Sequence, residues 1–196
     1  MTLYTSIISL AILTNLSITT QISTGETKAY TDTIYNFTFQ YPSSHHLITI
    51  GYGFFGLLNN NKLTLRASIE ENAFKIFIKE NNHITDIFHS FARERCKVVC
   101  GADGPDGSTY CDEIESEREY RSANGLRVLE FYMVITRENY SEKTKKKSRV
   151  GPVYLVDLSQ KDRHLALMIH PGDRDLASEK AKGLAQGVIE SVRLLP

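Results

Sequence analysis

The stretch E-I-E-S-E-R-E-Y-R-S-A-N-G-L-R-V-L-E-F-Y-M-V-I-T-R, residues 113–137, decides the fold. Asn124-Gly125 is a type I′ hairpin signal, because that turn needs φ > 0 at both central residues. After it, Leu129, Phe131, Met133 and Ile135 take one face of a period-two pattern, while Val128, Tyr132 and Val134 take the other. A strand apolar on both faces is covered on both sides. Residues 113–120 supply its antiparallel partner.

Working outward, Leu63, Leu65, Ala67 and Ile69 alternate as a second strand. Residues 47–58 are apolar but hold Gly51, Gly53 and Gly56, which suits a bulged strand or a buried loop. Asn59-Asn60-Asn61 is turn chemistry, and residues 73–79 fit strand and helix equally. Ile84, Ile87, Phe88, Phe91 and Ala92 follow helical spacing, so residues 82–95 are expected to be a helix capped by Asn82. Residues 101–108 and 142–149 are expected as loops, the second strongly basic. Residues 153–158 and 164–170 form a further strand pair. A closing helix carries Leu176, Ala177, Ala181, Leu184, Ala185, Val188 and Val192 on one stripe, with Asp173 or Asp175 as its cap. Strands, a helix, hairpin-linked strands and a helix, in that order, predict one α+β domain. Its antiparallel β-sheet packs with α-helices.

The aromatic strand at residues 35–42 ends in Tyr41-Pro42, and the closing helix ends Ile189-Glu190-Ser191-Val192-Arg193. With the long meander between them, these features resemble the PsbP-like family over residues 30–196. That family includes extrinsic lumenal subunits of photosystem II, a Ran-binding nuclear import factor and secreted bacterial proteins. The resemblance implies an α/β/α sandwich and a binding or assembly role, since the family is mostly non-enzymatic. It carries over no functional residue.

Composition narrows the classes. The 196 residues hold 23 basic and 23 acidic side chains, so no global basic footprint marks a nucleic-acid binder. The run from Ile7 to Ile18 has signal-peptide length and is too short to span a bilayer of roughly 30 Å. Residues 1–28 are therefore expected to be an export segment, leaving a domain at 29–196 outside the cytoplasm with no membrane span after processing.

Cys96, Cys100 and Cys111 are the only cysteines. A Cys100–Cys111 disulfide would close a Gly- and Pro-bearing loop, and Cys96–Cys111 is the alternative. Cys96 with Cys100 is disfavoured, since residues one helical turn apart seldom meet disulfide geometry. Three cysteines are too few for the inhibitor-type loop that residues 99–110 echo. An EF-hand starting at Asp103 fails, with Pro105 and Ser108 at ligand and glycine positions. No metal or cofactor is implied.

No nucleophile elbow, phosphate loop or zinc-protease motif appears. A small hydrolase assembled from Asp157, His164 and His170 is the enzymatic alternative, and a cytosolic adaptor is another. What remains is sign-segregated charge. The acidic segment 103–119 includes Asp103, Asp106, Asp112 and Glu113, and the basic run includes Lys145, Lys146, Lys147 and Arg149. Complementary patches steer association, so these residues are the expected surface for a protein partner.

Overall fold

Residues 25–49, 53–81, 86–99, 102–160, 163–172 and 177–196 are described by a computed structural model. The aromatic strand forms as its alternation requires. It is β2 (Phe37–Pro42), with Phe37, Phe39 and Tyr41 buried and Gln40 exposed. β1 (Thr27–Asp32) pairs with it on one side, and β11 (Arg193–Leu194), a strand the sequence did not suggest, pairs on the other.

The remaining elements are β3 (His46–Thr49), β4 (Phe54–Asn59), β5 (Lys62–Ile69), α1 (Glu71–Glu80), α2 (Ile87–Val99), β6 (Ala102–Gly104), β7 (Gly107–Arg121), β8 (Arg127–Asn139), β9 (Thr144–Asp157), β10 (Ala166–Pro171) and α3 (Glu179–Ser191). The larger sheet runs β3-β4-β5-β10-β9-β8-β7-β6, and every recorded pairing in both sheets is antiparallel. The α+β expectation is met, in three layers. On one face Leu129, Phe131, Val153, Leu155 and Met168 pack against Phe74 of α1 and Phe88 and Phe91 of α2. On the other, Phe55, Leu65, Val128, Val156 and Ile169 pack against β2 and against Ala185, Val188 and Ile189 of α3. β8 is thus covered on both faces over its first half, as its doubly apolar pattern predicts.

Several local expectations change. Residues 73–79 are helical within α1, and residues 46–49 and 54–59 form two strands. Asn82 and Ile84 lie outside the described residues, as do Asp173 and Asp175. The cap of α3 is Ser178, whose hydroxyl accepts from the Ala181 N–H at 3.3 Å. β7 and β8 separate at Arg121–Arg127 into a five-residue loop, not a two-residue turn. Only Gly125 takes a positive φ there, +79°, so the type I′ reading fails at Asn124. The type I′ turn lies instead at Asn60-Asn61, at φ +49° and +60°. Asn124 is used otherwise: its Nδ2 donates to the Glu190 and Val192 carbonyls at 2.9 Å each, tying the loop to the end of α3.

Both expected loops prove to be strands. The segment 102–109 folds as the β6–β7 hairpin, turning only at Pro105-Asp106. The basic run lies in β9, which pairs with β8 from Asn139↔Thr144 onward. Gly107 makes this possible, because a Cβ there would lie 2.0 Å from the Glu138 carbonyl oxygen. Gly107→Ala is expected to pry β7 from β8 at this end, a local cost on the order of 1–3 kcal/mol. Amide exchange should then rise about tenfold or more at Ser108 and Glu138 while β10 stays protected. Unchanged exchange at Ser108 would contradict the close approach.

Candidate functional site

The distal ends of β7, β8 and β9 place the sequence-predicted charges together. Side chains alternate along a strand, so Lys145, Lys147 and Arg149 share one face and Lys146 takes the other. Lys146 sits opposite Arg137 and has no ion pair among the described residues. On the shared face the bases meet acids. Lys145 Nζ lies 2.8 Å from Glu138 and donates to the Tyr110 hydroxyl at 2.6 Å, which itself donates to Glu138 at 2.9 Å. Lys147 Nζ lies 2.8 Å from Asp112, whose carboxylate also accepts from Thr136 at 2.7 Å. Arg149 pairs with Glu115 at 3.0 Å, donates to Ser116, and stacks 3.7 Å from the Tyr132 ring centroid.

These bonds hold both signs charged. The Lys147 contact, then Thr136, lowers the Asp112 carboxyl, and Lys145, then Tyr110, lowers Glu138. The same contacts raise Lys145 and Lys147. Of the other predicted residues, Asp106 is exposed in the β6–β7 turn and Glu113 is exposed on β7 without an ion pair among the described residues. Asp103 pairs through its backbone with Ser108.

The cysteine pairing is corrected. Cys111 bonds Cys96, with a Cα–Cα distance of 5.5 Å, so the expected Cys100–Cys111 link is excluded. The reason is that α2 continues through Cys96 to Val99 and turns the buried Cys96 toward β7. Cys100 lies outside the described residues.

A seam that sequence reasoning missed runs along the same helix face. His89, Arg93 and Cys96, at helical spacing, meet Glu119, Glu117 and Cys111 of β7. His89 Nδ1 contacts Glu117 and its Nε2 lies 3.2 Å from Glu119. Arg93 reaches Glu117 at 2.7 Å, and Arg127 grips Glu119 with two bonds at 2.7 and 2.8 Å. Burial opposes ionisation at Glu117, but bonds from His89 and Arg93 outweigh it and leave the carboxyl below its usual range. The Arg127 bond does the same at Glu119. An open cleft of about 790 Å³ lies beside the disulfide, lined in part by Phe77, Arg93, Lys97, Glu113 and Ile114.

The hydrolase trio is not brought together. Asp157 pairs with Ala166, four residues along β10 from His170, or roughly 13 Å at strand rise. The Asp157 carboxylate accepts from the Ser159 N–H, and His164 is exposed. His170 is half-buried, and burial with the charges of Arg66 and Arg95 lowers its pKa to about 4. An unfolded histidine binds its proton near pH 6.5, so the unfolded chain takes up this proton first as pH falls. Stability is therefore expected to decline from pH 6.5 to 4, with the histidine contributing on the order of 2 kcal/mol because water still reaches the ring. The difference between wild type and His170→Gln in urea unfolding at each pH isolates it. A difference that stays flat with pH would refute it.

No family model matches the chain, and no curated protein matches it either. Among solved structures, the chain is similar to cyanobacterial PsbP (CyanoP) from Synechocystis sp. PCC 6803. Identity is 14%, the match covers 91% of this chain and 98% of that one, and the TM-score is 0.46. It is also similar to the Ran-binding protein Mog1p of Saccharomyces cerevisiae, with 11% identity, 87% and 96% coverage and TM-score 0.44. A protein of Bacteroides thetaiotaomicron matches at 15% identity, 86% and 48% coverage and TM-score 0.32. Among the described residues no helix is long and apolar enough to cross a membrane.

Proposed function

We propose that this chain is an exported, non-enzymatic protein that binds a protein partner through the charged face of β7, β8 and β9. The observation that carries the reading is the placement of Lys145, Lys147 and Arg149 on one strand face, each against an exposed or half-exposed acid. Such pairs contribute at most about 1 kcal/mol each, so a partner's charges replace them at little cost. Opposite signs in a fixed order then select a partner with the complementary order. The Cys96–Cys111 bond supports an oxidising compartment outside the cytoplasm. Export through residues 1–28 belongs to the same reading, and N-terminal sequencing of the mature protein tests it: an intact Met1 or Thr2 removes it.

The partner surface is tested by capture from native extract. Lys145→Gln with Lys147→Gln is expected to slow association several-fold, more than it speeds dissociation, and raised salt should do the same. Lys146→Gln, on the opposite face, is the control and should change little. A partner held equally by the double variant would refute the surface. Turnover in a substrate screen, with no partner captured, would overturn the binding class.

A further inference from the structure

The half of the large sheet beyond the helices carries a cationic cluster that the charged arm does not use. Along β5, Arg66 and Ser68 share the helix-side face by the period of two, and Glu70 follows directly after the strand. Register sets His170 of β10 directly across from Arg66, and Met168 across from Ser68. Glu70 is buried and fully engaged: it accepts from the Ser68 hydroxyl at 2.9 Å and lies 3.0 Å from an Arg95 NH2 group. That pairing uses one edge of the Arg95 guanidinium. Its Nε–H is buried and has no hydrogen-bond partner among the described residues. Arg66 is exposed and forms no ion pair among the described residues.

Of these two guanidinium groups, one has a carboxylate partner and the other has none among the described residues. His170, across from Arg66, is held neutral by burial and by the charges of Arg66 and Arg95. A buried donor without an acceptor calls for a partner such as a bound ion. An arginine without an acid and an imidazole that becomes a second donor once negative charge arrives have the same requirement. Phe54 adjoins them. It pairs with Ser68 on the same sheet face, and the residue is 56% exposed. It lies diagonally from Arg66, roughly 7–8 Å away and within reach of one small ligand.

We propose that Arg66, Arg95 and His170 bind a phosphate or carboxylate group, and that the ligand carrying it lays an apolar body over Phe54. Binding draws a proton onto His170, so affinity rises as pH falls into the histidine's own low titration range. The site is separate from the charged arm, and the Lys145, Lys147 double variant binds the anion normally.

The test follows the His170 ring by NMR in the full chain, titrated with inorganic phosphate, phenyl phosphate and benzoate. The expected result is saturable binding of phenyl phosphate with Kd of about 1 mM or tighter. Its affinity should exceed that of inorganic phosphate several-fold, and the His170 titration midpoint should rise by about one pH unit or more. Arg66→Gln, at an exposed position that leaves the fold intact, should weaken binding about tenfold. Phe54→Ala should erase the advantage of phenyl phosphate. Benzoate bound comparably to phenyl phosphate identifies carboxylate as a ligand class, and benzoate without effect overturns that half of the assignment. Shifts that never saturate, or an Arg66→Gln variant that titrates as wild type, would overturn the site. Equal affinity for the two phosphates would overturn the apolar contact.

Discussion

Phe39→Ala is expected to destabilise the protein by about 3–5 kcal/mol, the usual cost of emptying a buried phenylalanine site. For a chain of this size that is a fall in Tm of roughly 6–20 °C. The side chain is fully buried, and its ring centroid lies 5.2 Å from Tyr30, 6.2 Å from Phe37, 6.1 Å from Tyr41 and 5.4 Å from Phe55. Four of these five rings belong to the small sheet, and Phe55 belongs to β4 of the large one. The two sheets share no recorded strand pairing, so side-chain packing between β2, α3 and the large sheet holds them together. Phe39→Leu refills most of the cavity and loses mainly the aromatic pairs, which add about 0.5–1.5 kcal/mol beyond burial, so it should cost visibly less than Phe39→Ala. Thermal unfolding of both variants checks this. A Phe39→Ala variant melting with wild type would mean that the small sheet is held some other way.

The same strand shows what the sequence makes legible. Phe37, Phe39 and Tyr41 announce themselves because alternation on a half-buried strand needs no knowledge of the partner. β8 is equally readable, since Leu129 to Ile135 is apolar on both parities. The basic run failed for a related reason. With lysine at 145, 146 and 147, period two is invisible, and charge density reads as a loop. Only pairing with β8 separates Lys145 and Lys147 from Lys146. Residues 102–107 failed because Asp, Gly and Pro favour turns, whereas the hairpin needs only Pro105-Asp106 for its turn. The seam of His89, Arg93, Glu117 and Glu119 joins residues 24 to 30 positions apart on two elements, and neither element's own pattern records the meeting. The Arg66–His170 pair is likewise a product of register between β5 and β10, about a hundred residues apart. Candidate sites of this kind become visible only when strand order is known.

Cys96→Ala is expected to lower stability by about 3 kcal/mol, because the bond spans a sequence separation of 15 residues and restrains the unfolded chain accordingly. The corresponding fall in Tm is roughly 6–12 °C. The bond joins the C-terminal half of α2 to the start of the acidic strand, and His89 and Arg93 clamp the same helix further back. Without the bond, the charge contacts alone hold this helix face to β7. Those contacts, largely shielded at His89 and Glu117, still hold the front of the helix, so α2 amides near Cys96 should exchange faster than those near His89. Cys100→Ala is the discriminating control. If Cys111 is committed to Cys96, the crosslink survives in that variant, and its melting should stay close to wild type. Reduction of wild type should reproduce the Cys96→Ala loss and add nothing further to that variant. Peptide mapping without reductant decides the connectivity independently: a linked pair containing Cys96 and Cys111 is expected. A pair containing Cys100 and Cys111 would show that the helix end rearranges in solution, and would move the staple from the helix to the loop that follows it.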